Sequence, residues 1–302
     1  MLDVYPLCLG TNTFGWTSTP NESFAVLDEY VEAGGNFIDS ADSYSAWASG
    51  NSGGESELII GQWLAKGADR SNIVIATKVG KAPGRTGLSA GTIKGAAEDS
   101  LRRLGTDYID LYYAHAEDLE VPVEESVAAF TELVDEGKIR YVGLSNHSPE
   151  RIRQWMEIAP AKAKPVALQP HYNLVCRQDF EEKLLPLAKE YDLAVMPYFS
   201  LAAGLLTGKY QGKGLEGERA GMVGAYQGNG VAKSVDALIE IAHSHNVEPA
   251  AIAIAWLLAQ DTVTAPIASA RVPSQLPPLL EGVTIVLSPE ENTRLDEVSR
   301  GL

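Results

Sequence analysis

The chain has 302 residues, 45% of them hydrophobic, and sets 24 Lys and Arg against 40 Asp and Glu for a formal net charge of −16. A field of that sign repels nucleic acid and anionic membranes, and no run of about 18 apolar residues is present to span a bilayer. Cys8 and Cys176 make no disulfide framework. The opening MLDVYPLCLG lacks the basic stretch and long apolar core of a secretory leader, so the expectation is a cytoplasmic protein with neither nucleic-acid nor membrane partners.

The first apolar run, Leu7-Cys8-Leu9, leads into the loop GTNTFGW, which begins with Gly10, Thr11 and Asn12. In the following segment Thr19, Pro20 and Glu22 read as N-cap, first helical residue and capping-box acceptor. Phe24, Leu27 and Val31 then form an apolar stripe, and Gly34-Gly35 ends the helix. Further strands are predicted at 36–38, 73–77, 109–113, 141–145, 166–169, 193–197 and 264–267. Helix-period segments intervene, one with Ile93, Ala97, Leu101 and Leu104 before Gly105, another with Val123, Val127, Phe130 and Val134 before Gly137. A third is capped by Ser148-Pro149. The strands are apolar on both alternations, as parallel strands covered on both sides are. Eight strands alternating with helices predict an α/β fold, a single (β/α)8 TIM barrel over 1–302. An open dinucleotide-binding sheet is disfavoured because no GxGxxG follows the first strand. The stretch 211–230 holds seven glycines; a long loop at about 211–231 is read as an insertion or as a flap over a ligand. A last helix is predicted at about 289–299.

In such a barrel, residues at the carboxyl ends of the strands converge on one mouth. Asp39, with Tyr44 further along, follows strand two; Lys78 follows strand three and His115 strand four. Ser145 and Asn146 follow strand five, Gln169 ends strand six, strand seven leads to Tyr198, and strand eight to Ser269 and Arg271. Singly, each has a plainer reading: Asp39 as a turn cap, Tyr44 as packing, Lys78 as a solvated cation, His115 as a satisfied imidazole. Together they form a phenolic acid–base device. A phenol titrates at about 10; an adjacent ammonium favours the phenolate, a histidine hydrogen-bonds or relays the proton, and Asp39 neutralises and orients Lys78. Asp42 is read as a turn residue. Two other chemistries are weighed. His115, His147 and His171 could ligate a metal, but strand one ends in Gly10-Thr11-Asn12 without a His-x-His. A Schiff base on Lys78 would want an apolar pocket, which Asp39 opposes. His243 and His245 do not share a helix face and read as solvated.

Taken in order, the motifs resemble those of the aldo-keto reductases over almost the whole chain: FIDSADSY, GGESELIIG, ATKVG, DLYYAHAED, GLSNH, QPHYN, PYFSLAAGLLTGKY and PIASARVPSQL. The resemblance implies NADPH-dependent reduction of an aldehyde or ketone substrate, or the reverse oxidation. It makes Tyr44 the general acid, assisted by Lys78 and His115, with Asp39 paired to Lys78. It also puts Asn146 and Gln169 on the nicotinamide carboxamide and Tyr198 on its ring. Ser200, Leu201 and Lys209 fall in the pyrophosphate loop, and Ser269, Arg271 and Gln275 in the segment around the 2′-phosphate and adenine. Gly10, Thr11, Asn12 and Ser145 complete the cofactor set, and no metal is implied. Arg271 supplies the local cation that a phosphorylated ligand needs against an acidic chain.

Two departures from the pattern bear on the cofactor. Tyr198-Phe199-Ser200-Leu201 stands where Tyr-Ser-Pro-Leu is common, so a side-chain contact to the pyrophosphate is either lost or moved to Ser200. Pro278 and Leu279 replace an acidic-Asn pair, weakening the adenine contacts and admitting NADH beside NADPH. Little chain precedes strand one and little follows the helix SPEENTRLDEVS, so an open pocket is expected, with Phe14, Trp16 and Trp47 as walls or as packing. The family also includes regulatory subunits that bind cofactor and a partner protein, but the four intact catalytic positions favour an enzyme. The sequence carries no signal of oligomeric state.

Overall fold

Eight short parallel strands form the centre of the computed structural model, which describes residues 3–210, 220–226 and 228–302. They are β1 (Cys8–Gly10), β2 (Phe37–Asp39), β3 (Val74–Val79), β4 (Ile109–Ala114), β5 (Ile139–Ser145), β6 (Pro165–Gln169), β7 (Ala194–Val195) and β8 (Ile267–Ala268). Neighbours in the sheet run β8-β1-β2-β3-β4-β5-β6-β7. The two ends meet: Val195 bridges Val263, and the Ile267 N–H donates to the Pro197 carbonyl at 2.9 Å. The sheet thus curls into a (β/α)8 barrel. The eighth strand starts at Ile267, later than predicted, because Pro266 has no N–H to donate to the ladder.

Helices α1 (Pro20–Glu32), α2 (Glu55–Leu64), α3 (Ala90–Leu104), α4 (Val123–Asp135), α5 (Pro149–Ile158) and α6 (Leu185–Glu190) separate the first seven strands. The helices α7 (Asn229–His245) and α8 (Pro249–Leu258) precede β8, and α9 (Pro277–Thr284) and α10 (Pro289–Val298) follow it. The capping box of α1 forms as its sequence requires, Glu22 accepting the Thr19 N–H at 2.8 Å while the Thr19 hydroxyl accepts the Glu22 N–H at 3.3 Å. Its buried stripe differs from the predicted one: Ser23, Val26, Leu27 and Tyr30 face inward, and Phe24 and Val31 are only half-buried. The reason is Tyr30, whose hydroxyl donates to the Leu7 carbonyl at 2.6 Å and accepts the Phe37 N–H at 3.2 Å. Two strand ends thereby rotate the helix.

Strand residues sort by parity. Leu9, Ile38, Ile75, Tyr112, Val142, Leu168 and Val195 pack outward against helix residues such as Leu27, Ile60, Ile93, Phe130 and Ile254. Cys8, Phe37, Ala76, Leu111, Tyr113, Ala167, Met196 and Ile267 pack inward and fill the lumen. Gly143 makes this filling possible, since a Cβ there would sit 2.3 Å from the Tyr113 ring. Two residues beyond the inward set, on the same parity, come Gly10, Asp39, Lys78, His115, Gln169, Tyr198 and Ser269. The period of a strand therefore aims all of them at the space above the packed lumen.

Of the predicted loop at 211–231, positions 211–219 and 227 lie outside the described residues; Ala220–Val223 is a helical turn and α7 begins at Asn229. No helix among the described residues is long and apolar enough to cross a membrane.

Candidate active site

Asp39 is the last residue of β2 and Lys78 lies inside β3, rather than beyond the strands. Both are buried, with 1% and 0% of their side chains exposed. The three ammonium protons of Lys78 are all placed, on Asp39 Oδ1 at 2.5 Å, the Ser40 carbonyl at 2.6 Å and Tyr44 Oη at 2.9 Å. Tyr44 in turn donates to Asp39 Oδ1 at 3.2 Å, and Gln169 Nε2 donates to Asp39 Oδ2 at 2.9 Å. A buried ion pair is tolerated when the remaining lone pairs are met in this way.

The electrostatics differ from the sequence reading in one respect. Burial, with the charge of Asp39 and the hydrogen bond to it, raises Tyr44 well above the ordinary phenol value. These effects outweigh the neighbouring ammonium, and the phenol is held protonated. His115 is shifted the other way: burial first, then Lys78 and Lys81, push it well below the ordinary imidazole value. A neutral imidazole with its ring 6.3 Å from that of Tyr44 therefore faces the cavity.

That cavity, about 850 Å³, is lined by Tyr44, Trp47, His115 and Lys81 at one side and by a long polar arc at the other. The arc contains Gly10, Asn12, Ser145, Asn146, Gln169, Tyr198, Ser200, Leu201, Lys209, Ser269, Arg271 and Gln275, the predicted cofactor set without Thr11. Thr11 is turned away: its fully buried hydroxyl donates to the Asp39 carbonyl at 2.8 Å and lies 2.6 Å from Ser56 Oγ, so it supports β2 instead of lining the arc. Asn146, with φ +52°, donates to the His115 carbonyl and Ser145 Oγ and accepts from the Tyr198 hydroxyl at 2.8 Å. An Asn tolerates that left-handed backbone better than most residues. Tyr198 stacks on His171 with ring centroids 5.3 Å apart. The hydroxyl of Tyr226, within the glycine-rich stretch, lies 2.6 Å from His171 Nε2. Ser269 donates to Asn12, and Gln275 accepts the Arg271 N–H.

Of the three candidate wall aromatics, Trp16 and Trp47 line the cavity while Phe14 is fully buried in the core. The sequence reading missed Lys81, Thr17, Phe199, Gly204, Met222 and Glu248 as lining residues. Pro278 and Leu279 also line the cavity.

Asp42 lies in the turn after β2, as read, but it is buried there. It is 2% exposed, and its carboxylate meets no side-chain hydrogen-bond partner among the described residues. Burial and the nearby Glu57 raise it to about 7, against the pull of Arg103, the Gly80 amide and Lys78. Glu57 itself is buried and held by Arg103 at 2.6 Å and by the Thr77 hydroxyl at 2.5 Å.

The three histidines weighed as metal ligands have separate surroundings. His147 is buried with Nδ1 2.8 Å from the Ser145 carbonyl, and His171 pairs with Tyr226. No group of three or more His, Cys, Asp or Glu among the described residues is placed to hold a metal ion. His245, read as solvated, lies 2.7 Å from Glu291 on α10.

Whether the arc suits a nicotinamide dinucleotide is tested by its own residues. It is long, it carries the cations Lys209 and Arg271, and at Gly10 a Cβ would fall 2.9 Å from Ser269 Oγ, so backbone is laid bare there. These features fit an elongated, anionic ligand. Barrel, buried Asp–Lys–Tyr cluster and cationic arc together define an NAD(P)H-dependent oxidoreductase. The sequence signature of the Aldo/keto reductase family matches residues 6–300, and the chain belongs to that family. Aldo-keto reductase str7 of Strobilurus tenacellus is 33% identical over 82% of this chain and 72% of its own length. Protein tas of Escherichia coli is 31% identical over 98% and 94%. A Schizosaccharomyces pombe protein named for a voltage-gated potassium channel beta subunit is 35% identical over 94% and 88%.

Proposed function

We propose that this protein reduces aldehydes or ketones with NADPH, and that Tyr44 gives its proton to the carbonyl oxygen. The observation that carries the proposal is the fixed position of the Lys78 ammonium between Tyr44 Oη and Asp39 Oδ1. The chemistry supplied by bound NADPH is hydride donation to the carbonyl carbon. Tyr44, raised above its ordinary range, holds its proton until a substrate oxygen gains negative charge beside it. As the phenolate forms, Lys78 already donates to that oxygen, so the new charge meets a prearranged ammonium and no groups must reorganise. Neutral His115 can donate a second hydrogen bond to the carbonyl without placing another cation beside Lys78. Asp39, fixed by Gln169, keeps the ammonium aimed.

Asn146, Gln169 and Tyr198 would receive the nicotinamide end, and Ser200, Leu201 and Lys209 the pyrophosphate. Ser269, Arg271 and Gln275 would hold the 2′-phosphate and adenine, with Arg271 favouring NADPH over NADH. Two free cysteines fit a reducing compartment. A cofactor-binding regulatory subunit is the second reading, favoured by the name of the fission-yeast relative. The deciding experiment is NADPH oxidation against a panel of aldehydes, ketones and sugars, repeated with NADH. Turnover supports the reductase; tight NADPH binding with no turnover across the panel supports the regulatory subunit.

A further inference from the structure

The two sides of the cavity differ in what their cations face. On the cofactor side stand Lys209 and Arg271, enough to meet the pyrophosphate and one further phosphate. On the opposite side a third cation, Lys81, lines the same space as Tyr44, Trp47 and His115. It comes three residues after Lys78. Gly80, at φ +116°, turns the chain out of β3, and Lys81 then opens a hairpin in which Lys81 pairs with Thr86 and Ala82 with Arg85. The other cation of that hairpin, Arg85, is spent on Asp99 at 2.6 Å. Lys81 has no ion-pair partner among the described residues, although the chain carries sixteen more acidic than basic side chains. Its charge is felt at the reacting centre, since Lys81 helps to depress His115. Lys81 is itself lowered from the usual lysine value by desolvation and by Lys78.

The cavity wall on either side of the phenol is aromatic. Trp16 meets Trp47 edge-on at 5.6 Å, Trp47 meets Tyr44 at 6.1 Å, and Tyr44 meets His115 at 6.3 Å. Trp47 leaves 51% of its surface exposed and lines the cavity beside Tyr44, where it could meet an aromatic ring face-on or edge-on. A planar ring with its carbonyl at Tyr44 would lie between Trp47 and His115, in the same cavity that Lys81 lines.

We propose that Lys81 is a specificity-determining residue that pairs with an anionic group of the substrate. The substrate class is an aromatic aldehyde or ketone bearing a carboxylate remote from its carbonyl. This rests on the reductase reading, and the test separates the two. Lys81 is exposed at the rim, and a charged hydrogen bond made there to a bound carboxylate shifts affinity by about tenfold.

The experiment compares 4-carboxybenzaldehyde with its uncharged methyl ester, using NADPH and wild-type, Lys81→Met and Lys81→Arg proteins. Alongside it, binding of terephthalate, which cannot be reduced under these conditions, is read by quenching of tryptophan fluorescence. The expected result is a KM for the carboxylate about tenfold below that of the ester in wild type. That preference is lost in Lys81→Met and largely kept in Lys81→Arg, and terephthalate affinity falls in parallel in Lys81→Met. Equal KM values in wild type, or a preference that survives Lys81→Met, would overturn the inference while leaving the reductase reading intact. If neither aldehyde is turned over, Lys81-dependent terephthalate binding would uphold the anion site and count against the reductase; absence of that binding would overturn the anion site as well.

Discussion

The ammonium of Lys78 donates to the phenolic oxygen of Tyr44 at 2.9 Å while the same phenol donates to Asp39 at 3.2 Å. The phenol is thus prepared for both of its states. Asp39 and burial hold it protonated, and Lys78 stands ready for the charge left when the proton goes. Lys78→Met removes the second function. We expect kcat to fall by about 10²–10⁴-fold with NADPH affinity little changed, as read by steady-state kinetics and by fluorescence titration. The same variant leaves Asp39 buried without its partner, at a cost of about 3–5 kcal/mol. Chemical denaturation should therefore show Asp39→Asn/Lys78→Met to be more stable than Lys78→Met alone.

Asp42 gives a pH dependence of stability. Its folded value of about 7 stands above the ordinary carboxylate range, so between about pH 4 and 7 the folded protein binds a proton that the unfolded chain has released. Folding stability contributed by this group is present at low pH and is lost as the pH rises through 7, on the order of 2–4 kcal/mol. Asp42→Asn should be stabilised relative to wild type at pH 8 and much less so at pH 5. Denaturant titrations at the two pH values check this, and an equal difference at both would show that Asp42 ionises normally.

Arg271 lines the end of the arc assigned to the 2′-phosphate. Arg271→Ala should raise the Kd for NADPH by about tenfold or more and leave NADH within about twofold. Equal losses for both cofactors, measured by fluorescence titration, would move the 2′-phosphate elsewhere.

The barrel was legible because its cause is local and periodic: short runs apolar on both alternations, broken by helix-period segments and glycine stops. The same period places Asp39, Lys78, His115, Gln169 and Tyr198 on the parity of the lumen, which is why the ends of the strands could be read as a site. What escaped the sequence reading depends on long-range contacts. Thr11 turns inward because Ser56 and the Asp39 carbonyl wait there, 45 and 28 residues away. Asp42 is a turn residue, as read, but its burial beside Glu57 and Arg103 depends on how α2 and α3 pack there. Lys81 sits in a hairpin with no apolar period to mark it. His245 meets Glu291 only because α7 and α10 pack together.

The central claim is that Tyr44 is the proton donor. Its most direct test is Tyr44→Phe, assayed for NADPH-dependent reduction of an aldehyde that wild type turns over and for NADPH binding by fluorescence. Loss of turnover by about 10²-fold or more, with the Kd for NADPH unchanged, is the result expected; wild-type turnover in Tyr44→Phe would contradict the account.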